Sequence, residues 1–210
     1  SYMFDGKSSV PLVVRMLIGR GWGQGPQHSQ NLQSMFAQVP GLKVVMPVTA
    51  YDAKGMLIAA IEDDNPVIFI EHRWLHQIED VVPEGHYTTD LDKARVIQPG
   101  TDITLAAFSY MTLDSLIAAR ALAACGISVE VIDMRSARPL DVACVADSVG
   151  RTGRLIVADT AHRIGSIAGE LISQIVEVAF DALTTRPRSV TSPDHPVPTS
   201  HYMSGSYYPE

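Results

Sequence analysis

The chain has 210 residues, 46% of them hydrophobic, so it is long enough to bury a core in one large domain or two small ones. A formal net charge of −7 without any run of lysine or arginine argues against nucleic acid and anionic membranes as partners. No apolar stretch approaches the roughly 18 residues of a membrane span, and no basic-then-apolar leader opens the sequence, so we expect neither a bilayer span nor a secretion signal.

A first block of the chain alternates short apolar, β-branched runs with stretches of helical spacing. A run bounded by a proline or a turn indicates a buried strand, whereas apolar residues three and four positions apart indicate a helix. These rules predict strands at 11–16, 43–47 and 67–70 and helices at 29–39 and 50–62, the second capped by Thr49 and with Met56, Leu57, Ala60 and Ile61 on its inner face.

This rhythm is lost between about Trp74 and Gln98, where acidic residues and prolines predict an exposed linker ending in a short edge strand at 94–97. A second alternating block follows. Its predicted strands lie at 103–108, 127–132, 155–158 and around Val190. Its predicted helices lie at 112–124, where Gly126 closes the helix, from Asp141 onward, and at 166–183. The inner stripe of the last helix consists of Leu171, Ile175, Val178 and Ala182. The tail at 193–210 is expected to pack as an ordered extension. Such alternation is typical of an α/β fold with parallel sheets flanked by helices.

The loop after the first predicted strand is unusual because glycine occupies every second position from Gly19 to Gly25. Glycine lacks the Cβ atom that blocks a close approach to the backbone, so the loop predicts a group in contact with it. Gln27, His28 and Ser29 then follow at the carboxyl end of a strand, where open α/β sheets bind ligands. The spacing fits neither the phosphate loop nor the dinucleotide fingerprint, and a flexible connection beside a surface histidine is the alternative.

A series of short motifs extends along the whole chain. It comprises 23–30 (GQGPQHSQ), 40–47 (PGLKVVMP), 51–55 (YDAKG), 64–71 (DNPVIFIE), 131–135 (VIDMR), 138–141 (RPLD) and 194–198 (DHPVP). In this order the motifs resemble the beta subunit of thiamine-diphosphate-dependent 2-oxo-acid dehydrogenases, within the transketolase-like group. The resemblance covers essentially the whole chain.

The resemblance implies the C-terminal half of a pyrimidine-binding domain at 1–76, a linker at 77–93 and a complete transketolase-like C-terminal domain at 94–210. In the family, an upstream glutamate bonds N1′ of the cofactor's aminopyrimidine ring. The diphosphate and its magnesium are held by the alpha subunit or the preceding domain. The resemblance therefore implies a fragment that needs the alpha subunit or the missing N-terminal half, and that is inactive alone.

The resemblance also assigns site residues. His28 matches the family's active-site histidine, which lies near the cofactor thiazolium and the substrate carboxylate, while Gln27 and Gly25 match its cofactor-binding neighbours. Ser29 is expected to cap the following helix. Family members hold a potassium ion by main-chain carbonyls, and the matching positions are Leu12, Ala60, Ile61, Asp63 and Asn65, with an empty tight turn as the alternative.

The implied activity is decarboxylation of a 2-oxo acid on thiamine diphosphate followed by acyl transfer to a lipoyl group. In the family, the C-terminal domain forms the homodimer contact and docks the lipoyl acyltransferase core. A transketolase-like two-carbon transfer between sugars and a non-catalytic oligomerisation module are the alternatives. The stretch Met16–Gly19 departs from the Gly-Pro-Asn-Gly of many members, which leaves the substrate open.

The remaining reactive side chains receive structural interpretations. Cys125 and Cys144 lie among small apolar residues, which favours buried free thiols in a reducing cytoplasm. Trp22 is expected to pack under the glycine loop. Three further sets are weaker candidates: the segment His72–Trp74 for an ion pair or interface, the triplet His72, His76 and Asp80 for a metal site, and the superficially catalytic set Asp159, His162 and Arg163.

Overall fold

The computed structural model describes residues 5–19 and 24–208. The strands are Val13–Ile18 (β1), Lys43–Val45 (β2), Val67–His72 (β3), Arg95–Gln98 (β4), Ile103–Ala107 (β5), Val129–Asp133 (β6), Ser136–Arg138 (β7), Leu155–His162 (β8) and Arg188–Ser192 (β9). The α-helices are Gly25–His28 (α1), Gln33–Ala37 (α2), Ala50–Ile61 (α3), Met111–Ala123 (α4), Val142–Thr152 (α5), Ile167–Ala179 (α6) and Ser204–Tyr207 (α7). Single 3₁₀ turns lie at Arg73–Gln77, Phe180–Ala182 and His201–Met203.

The strands form two sheets, and the first one combines both halves of the chain. Its order is β1-β3-β2-β7, with β1, β3 and β2 parallel and β7 antiparallel to β2. The second sheet has the order β4-β6-β5-β8-β9, in which only β4 runs antiparallel to its neighbour. The predicted α/β class with mostly parallel sheets flanked by helices is confirmed, while β7 has no counterpart among the predicted strands.

One apolar core joins the two halves. It includes Ile18, Val44 and Ile68 from the first sheet together with Phe108 and Leu171 from the second half of the chain. The opposite face of the first sheet packs on α3. Alternating side chains of β2 and β3 therefore face two different cores, as the period of two along a strand requires.

The helix ends follow the predicted capping chemistry. The Thr49 hydroxyl accepts a hydrogen bond from the Asp52 N–H at 3.0 Å and starts α3. After α4, Gly126 adopts a φ of +78°. Its N–H donates to the Ala123 carbonyl at 3.0 Å, and the Ile127 N–H donates to the Leu122 carbonyl at 3.1 Å. These two bonds form the Schellman arrangement in which glycine is preferred, so the closing role predicted for Gly126 is confirmed.

The predicted helix at 29–39 is wrong. Two short helices, α1 and α2, flank a non-helical stretch at 29–32, and Met35 and Val39 are exposed. Polar contacts hold this stretch in place of helical hydrogen bonds. Ser29 is buried, and the Asn31 side-chain amide donates a hydrogen bond to the Ser29 carbonyl at 3.4 Å.

Two predicted helix faces are also partly wrong. α6 ends at Ala179 rather than at 183, and Val178, predicted on its inner stripe, is 64% exposed. Ile61 in α3, also predicted to face inward, is 63% exposed. Both residues lie in the last turn of their helices, beside Ala60 and Ala179, which contact the core in their place.

The linker at 77–93 has no regular structure but packs on α3. The Tyr87 hydroxyl donates to the Tyr51 carbonyl at 2.9 Å, and the two rings stack with centroids 4.7 Å apart. The Thr89 N–H donates to the Gly55 carbonyl at 3.2 Å. The tail packs as well, since Tyr207 is buried and its hydroxyl donates to the His195 carbonyl at 2.8 Å. None of the helices in the described ranges is long and apolar enough to cross a membrane.

Candidate functional site

His28 lies in the single-turn helix α1, which follows the loop after β1. Because β1, β2 and β3 are parallel, the histidine belongs to the carboxyl edge of the first sheet. Gln27 and His28 are both exposed, as a side chain that meets a ligand must be. The placement predicted from the sequence therefore agrees with the structure, while the chemical roles of the two residues stay predictions. Gly21, Trp22 and Gly23 lie outside the described residues, and so does the predicted packing of Trp22.

Gly19, the first glycine of the loop, makes room for His72. Its φ is +89°, and a Cβ atom built there would lie 2.0 Å from His72 Nε2. His72 is itself buried, stacks on the Tyr110 ring at a centroid distance of 5.0 Å, and accepts a hydrogen bond at Nδ1 from the Trp74 N–H at 3.3 Å. The missing side chain at Gly19 thus serves an internal contact at the carboxyl ends of β1 and β3.

Gly25 is approached by the tail of the chain. Its φ is +68°, and a Cβ atom at this position would lie 2.5 Å from the Thr199 hydroxyl. This contact explains one of the four loop glycines without any ligand. The cofactor-binding role predicted for Gly25 accordingly gains no support from its shape, since the face that the glycine leaves open is occupied by Thr199.

A buried hydrogen bond joins α2 to the second half of the chain. The Gln33 side-chain amide donates to Asp159 Oδ1 at 2.7 Å and lies 3.3 Å from the Thr160 hydroxyl. The Asp159 carboxylate also accepts from the N–H groups of Ala161 at 3.2 Å and Ile167 at 3.1 Å. Burial raises the pKa of Asp159, and these three donors oppose that shift. Sequence reasoning missed this pair, because nothing local to either residue indicates the other.

A second buried polar cluster lies where α3 meets β6. The Arg135 guanidinium donates to Asp52 Oδ1 at 2.9 Å and to the Lys93 carbonyl at 2.8 Å. Asp133 is fully buried beside this pair, and its Oδ2 has no hydrogen-bond partner among the described residues. Burial raises the pKa of Asp133 to about 7, with a smaller contribution in the same direction from the Asp52 carboxylate.

The potassium site expected at Leu12, Ala60, Ile61, Asp63 and Asn65 stays a prediction, and the structure describes the contacts of its turn. The Val67 N–H donates to the Leu12 carbonyl at 2.9 Å, and the Val10 N–H donates to the Asp64 carbonyl at 2.8 Å, which brings Leu12 against the turn after α3. The Asp63 carboxylate pairs with the Lys43 ammonium. Burial opposes ionisation of Asp63, but hydrogen bonds from Lys43 and Asn65 outweigh it and hold its pKa below the ordinary value.

The weaker candidates do not form sites. The part of the chain that the structure describes contains no cluster of three or more potential metal ligands, so His72, His76 and Asp80 do not form one. Asp159 belongs to the buried pair described above, whereas His162 contacts the Pro193 carbonyl at 2.7 Å and Arg163 is exposed. The prediction of two buried thiols is wrong for Cys125, which is exposed, while Cys144 is partly buried. Cys125 lies just after α4, where no further layer covers the chain.

Comparison with known proteins supplies the family. The model "transketolase, pyrimidine binding domain" matches residues 1–77, and the model "transketolase, C-terminal domain" matches residues 92–209. A solved structure described as the inactive beta4 tetramer of a split gene transketolase superposes with a TM-score of 0.71 at 24% identity, covering 89% of this chain and 58% of that one. At this low sequence identity, the superposition shows only that the two chains share a fold.

Curated relatives match almost the whole chain. The beta subunit of acetoin:2,6-dichlorophenolindophenol oxidoreductase from Cupriavidus necator is 42% identical, with 99% of this chain and 62% of the relative covered. The beta subunit of the pyruvate dehydrogenase E1 component from Bacillus subtilis is 40% identical, with 97% and 63% covered. The 2-oxoisovalerate dehydrogenase subunit beta from Pseudomonas aeruginosa is 37% identical, with 99% and 63% covered. The chain thus spans about three-fifths of the length of these relatives. Because the C-terminal model alone, at residues 92–209, matches more than half of the chain, this protein belongs to the transketolase family.

Proposed function

We propose that the chain acts as part of the beta subunit of a thiamine-diphosphate-dependent 2-oxo-acid dehydrogenase, which decarboxylates its substrate and transfers the acyl group to a lipoyl group. The observation that carries this proposal is the exposed pair Gln27 and His28 at the carboxyl edge of the first sheet. The chain as a whole is 37 to 42% identical to the beta subunits of such dehydrogenases and of an acetoin oxidoreductase.

In this function the cofactor supplies the carbanion chemistry, and the residues of this chain bind, orient and move protons. An imidazole can donate a hydrogen bond to a carboxylate and can pass on a proton, which suits His28 to a carboxylate-bearing substrate. Gln27 precedes it in the same helical turn and orients the loop. Ser29 is buried, which favours a structural role for its hydroxyl over a nucleophilic one.

The first sheet offers an uncovered edge where a further polypeptide can complete the site. β1 is the outermost strand, and three apolar residues on or beside it are strongly exposed: Leu12 at 52%, Val14 at 39% and Leu17 at 48%. An open, apolar edge strand invites pairing with another strand. We propose that the alpha subunit or an N-terminal half of the pyrimidine-binding domain covers this edge and binds the diphosphate and its magnesium. The homodimer contact and the docking of the lipoyl acyltransferase core are assigned to the C-terminal domain.

We further propose that a potassium ion binds at the turn after α3 through the main-chain carbonyls of Leu12, Ala60, Ile61, Asp63 and Asn65. The Asp63 carboxylate pairs with Lys43, so the proposed ligands are the neutral main-chain carbonyls rather than this carboxylate. Such a donor set suits a monovalent cation better than calcium or magnesium, whose sites are built with carboxylates.

Calorimetric titration with thiamine diphosphate tests the proposal. We expect no binding to the chain alone and binding once the alpha subunit and the N-terminal half are added, with the affinity higher in potassium than in sodium chloride. Binding by the chain alone would refute the assignment of the anchoring groups to other polypeptides. A stable dimer that binds no cofactor under either condition would instead support the oligomerisation module.

A substitution tests the catalytic role in the completed enzyme. His28→Ala is expected to lower the rate of 2-oxo-acid decarboxylation by about 10² to 10⁴, the range for loss of a positioned acid–base group. His86→Ala is the matched control, because His86 is also exposed, lies in the linker and pairs with Glu62 at the surface. Unchanged turnover of the His28 variant would remove the residue from the mechanism. If the completed wild-type enzyme turned over a sugar phosphate instead of the oxo acid, the alternative of two-carbon transfer would be favoured.

A further inference from the structure

We propose that the hydrogen bond from Gln33 to Asp159 positions His28, so that the C-terminal domain determines where the histidine stands. Gln33 is thereby a positioning residue for the reaction. The inference rests on the catalytic role given to His28 under the proposed function, but its geometric part can be tested without catalysis.

The segment between His28 and Gln33 is short, and the buried Ser29 together with the bond from the Asn31 amide to the Ser29 carbonyl keeps it compact. Residues 29–32 are not helical, so no regular helical hydrogen bonds determine their path. The segment is anchored on the sheet side where the Gly19 N–H donates to the Gln30 carbonyl at 3.2 Å. It is anchored at its other end by Gln33, which is fully buried. A displacement of Gln33 is therefore passed back along a few residues to the imidazole.

The acceptor of this anchor is rigid. Asp159 lies inside β8, and its carboxylate is held by two backbone N–H groups besides the Gln33 amide: Ala161 in the same strand and Ile167, the first residue of α6. A carboxylate with three donors cannot follow Gln33 if α2 moves. The hydrogen bond therefore transmits the position of the C-terminal domain to α2 rather than adapting to it.

The second contact of the Gln33 amide also lies in the C-terminal domain, because its Nε2 is 3.3 Å from the hydroxyl of Thr160, next to Asp159 in β8. Gln33 Oε1 is buried without a hydrogen-bond partner among the described residues, so the amide depends on its Nε2 contacts. Buried polar pairs define one arrangement of two surfaces, whereas apolar contacts tolerate several. Thr199 seated against Gly25 holds the other side of α1, so the second half of the chain contacts the His28 segment from both directions.

Amide hydrogen exchange of this chain tests the geometric part. Gln33→Met keeps the size of the side chain and removes the donor, and Gln38→Met makes the same change at an exposed position just after α2. We expect exchange of the Gly19 and Met35 amides, which donate to the Gln30 and Leu32 carbonyls of the segment, to accelerate about tenfold in Gln33→Met and to stay within twofold of wild type in Gln38→Met. Equal protection of these residues in the two variants would overturn the proposal.

A charge substitution adds a readout that a purely structural role would not change. Gln33→Glu brings a second carboxylate against Asp159. Two ionised carboxylates in contact repel each other, so the pKa of the pair is raised, and the two groups share a proton only when the pH is below that pKa. The variant should therefore lose protection at the Gly19 and Met35 amides when both carboxylates are ionised and regain it as the pH is lowered, measured against Gln38→Met at each pH. Protection that stays at the wild-type level at every pH would contradict the proposal.

In the completed enzyme, Gln33→Met should lower kcat about tenfold with KM for the oxo acid unchanged within twofold, and kcat of Gln33→Glu should rise as the pH falls. If exchange changes as expected but His28→Ala turns over normally, the anchor is real and the catalytic role proposed for His28 is wrong. If His28→Ala is inactive while kcat of Gln33→Met equals that of Gln38→Met, the proposed function holds and the positioning role is wrong.

Discussion

Replacement of Gly19 by alanine should destabilise the protein through two separable effects. The first is backbone strain, because an L-residue at a φ of +89° costs about 1 to 2 kcal/mol relative to glycine. The second is steric, since the new methyl group would lie 2.0 Å from His72 Nε2 and 2.1 Å from its Cδ2. His72 is fully buried, so its ring can leave only by disturbing its stack on Tyr110.

The steric effect resembles overpacking of a core, which costs typically about 1 to 3 kcal/mol. The two effects together predict a loss of about 2 to 5 kcal/mol in the free energy of unfolding, measured by urea denaturation. Gly41→Ala is the matched control, because Gly41 has a φ of +88° and no heavy atom lies within 4 Å of the added methyl group. It should lose only about 1 to 2 kcal/mol.

The difference between the two variants isolates the contact with His72. The double variant Gly19→Ala with His72→Ala should be less destabilised than the sum of its single variants, because the alanine at position 72 vacates the space that the methyl group needs. Equal losses for Gly19→Ala and Gly41→Ala would refute the reasoning and would show that the loop relaxes away from His72 at little cost.

Two further predictions concern the buried cluster at the α3–β6 contact. Burial raises the pKa of Asp133 to about 7, so folding takes up a proton, and the free energy of unfolding of the wild type should fall by up to about 4 kcal/mol as the pH rises from about 4 through 7. Asp133→Asn should remove this pH dependence, measured by urea titrations at pH 5 and pH 8. The same pH dependence in both proteins would contradict the assignment. Asp52→Ala leaves the buried Arg135 guanidinium unpaired and should cost about 3 to 5 kcal/mol. Glu71→Ala breaks the surface pair with Arg15 and should lower the free energy of unfolding by less than about 1 kcal/mol. If Asp52→Ala and Glu71→Ala lost the same free energy of unfolding, burial of the charges would not matter here.

Patterns with a local physical cause were predictable from the sequence. Thr49 was identified as a cap because its hydroxyl needs only an N–H three residues later, and Gly126 as a helix stop because a left-handed residue is needed there. The location of His28 followed from strand order alone, since the loop after a parallel strand lies at the carboxyl edge. Each of these inferences uses residues within a few positions of one another.

Features that depend on distant partners were not predictable. Strand β7 exists because Ser136 and Arg138 meet β2, about 90 residues earlier in the chain, and three residues carry no periodic signal of their own. The segment 29–39 has apolar residues at helical spacing, but its first four residues are not helical, and the Gln33 amide that follows them bonds to Asp159, 126 residues away. The high frequency of glycine correctly indicated that other groups lie close to the backbone of the loop. It could not indicate that these groups are His72, beside Gly19, and Thr199, beside Gly25.

The antiparallel pairing of β7 with β2 has a consequence for how the molecule comes apart. A ladder of backbone hydrogen bonds crosses from one family domain to the other, and the apolar interior is continuous beneath it. Rotation of the two halves about the linker at 77–93 would have to break that ladder, so hinge motion is suppressed and heating should give one calorimetric transition rather than two. Proteolytic nicking of the linker should for the same reason leave both pieces associated, with neither able to refold once they have been separated.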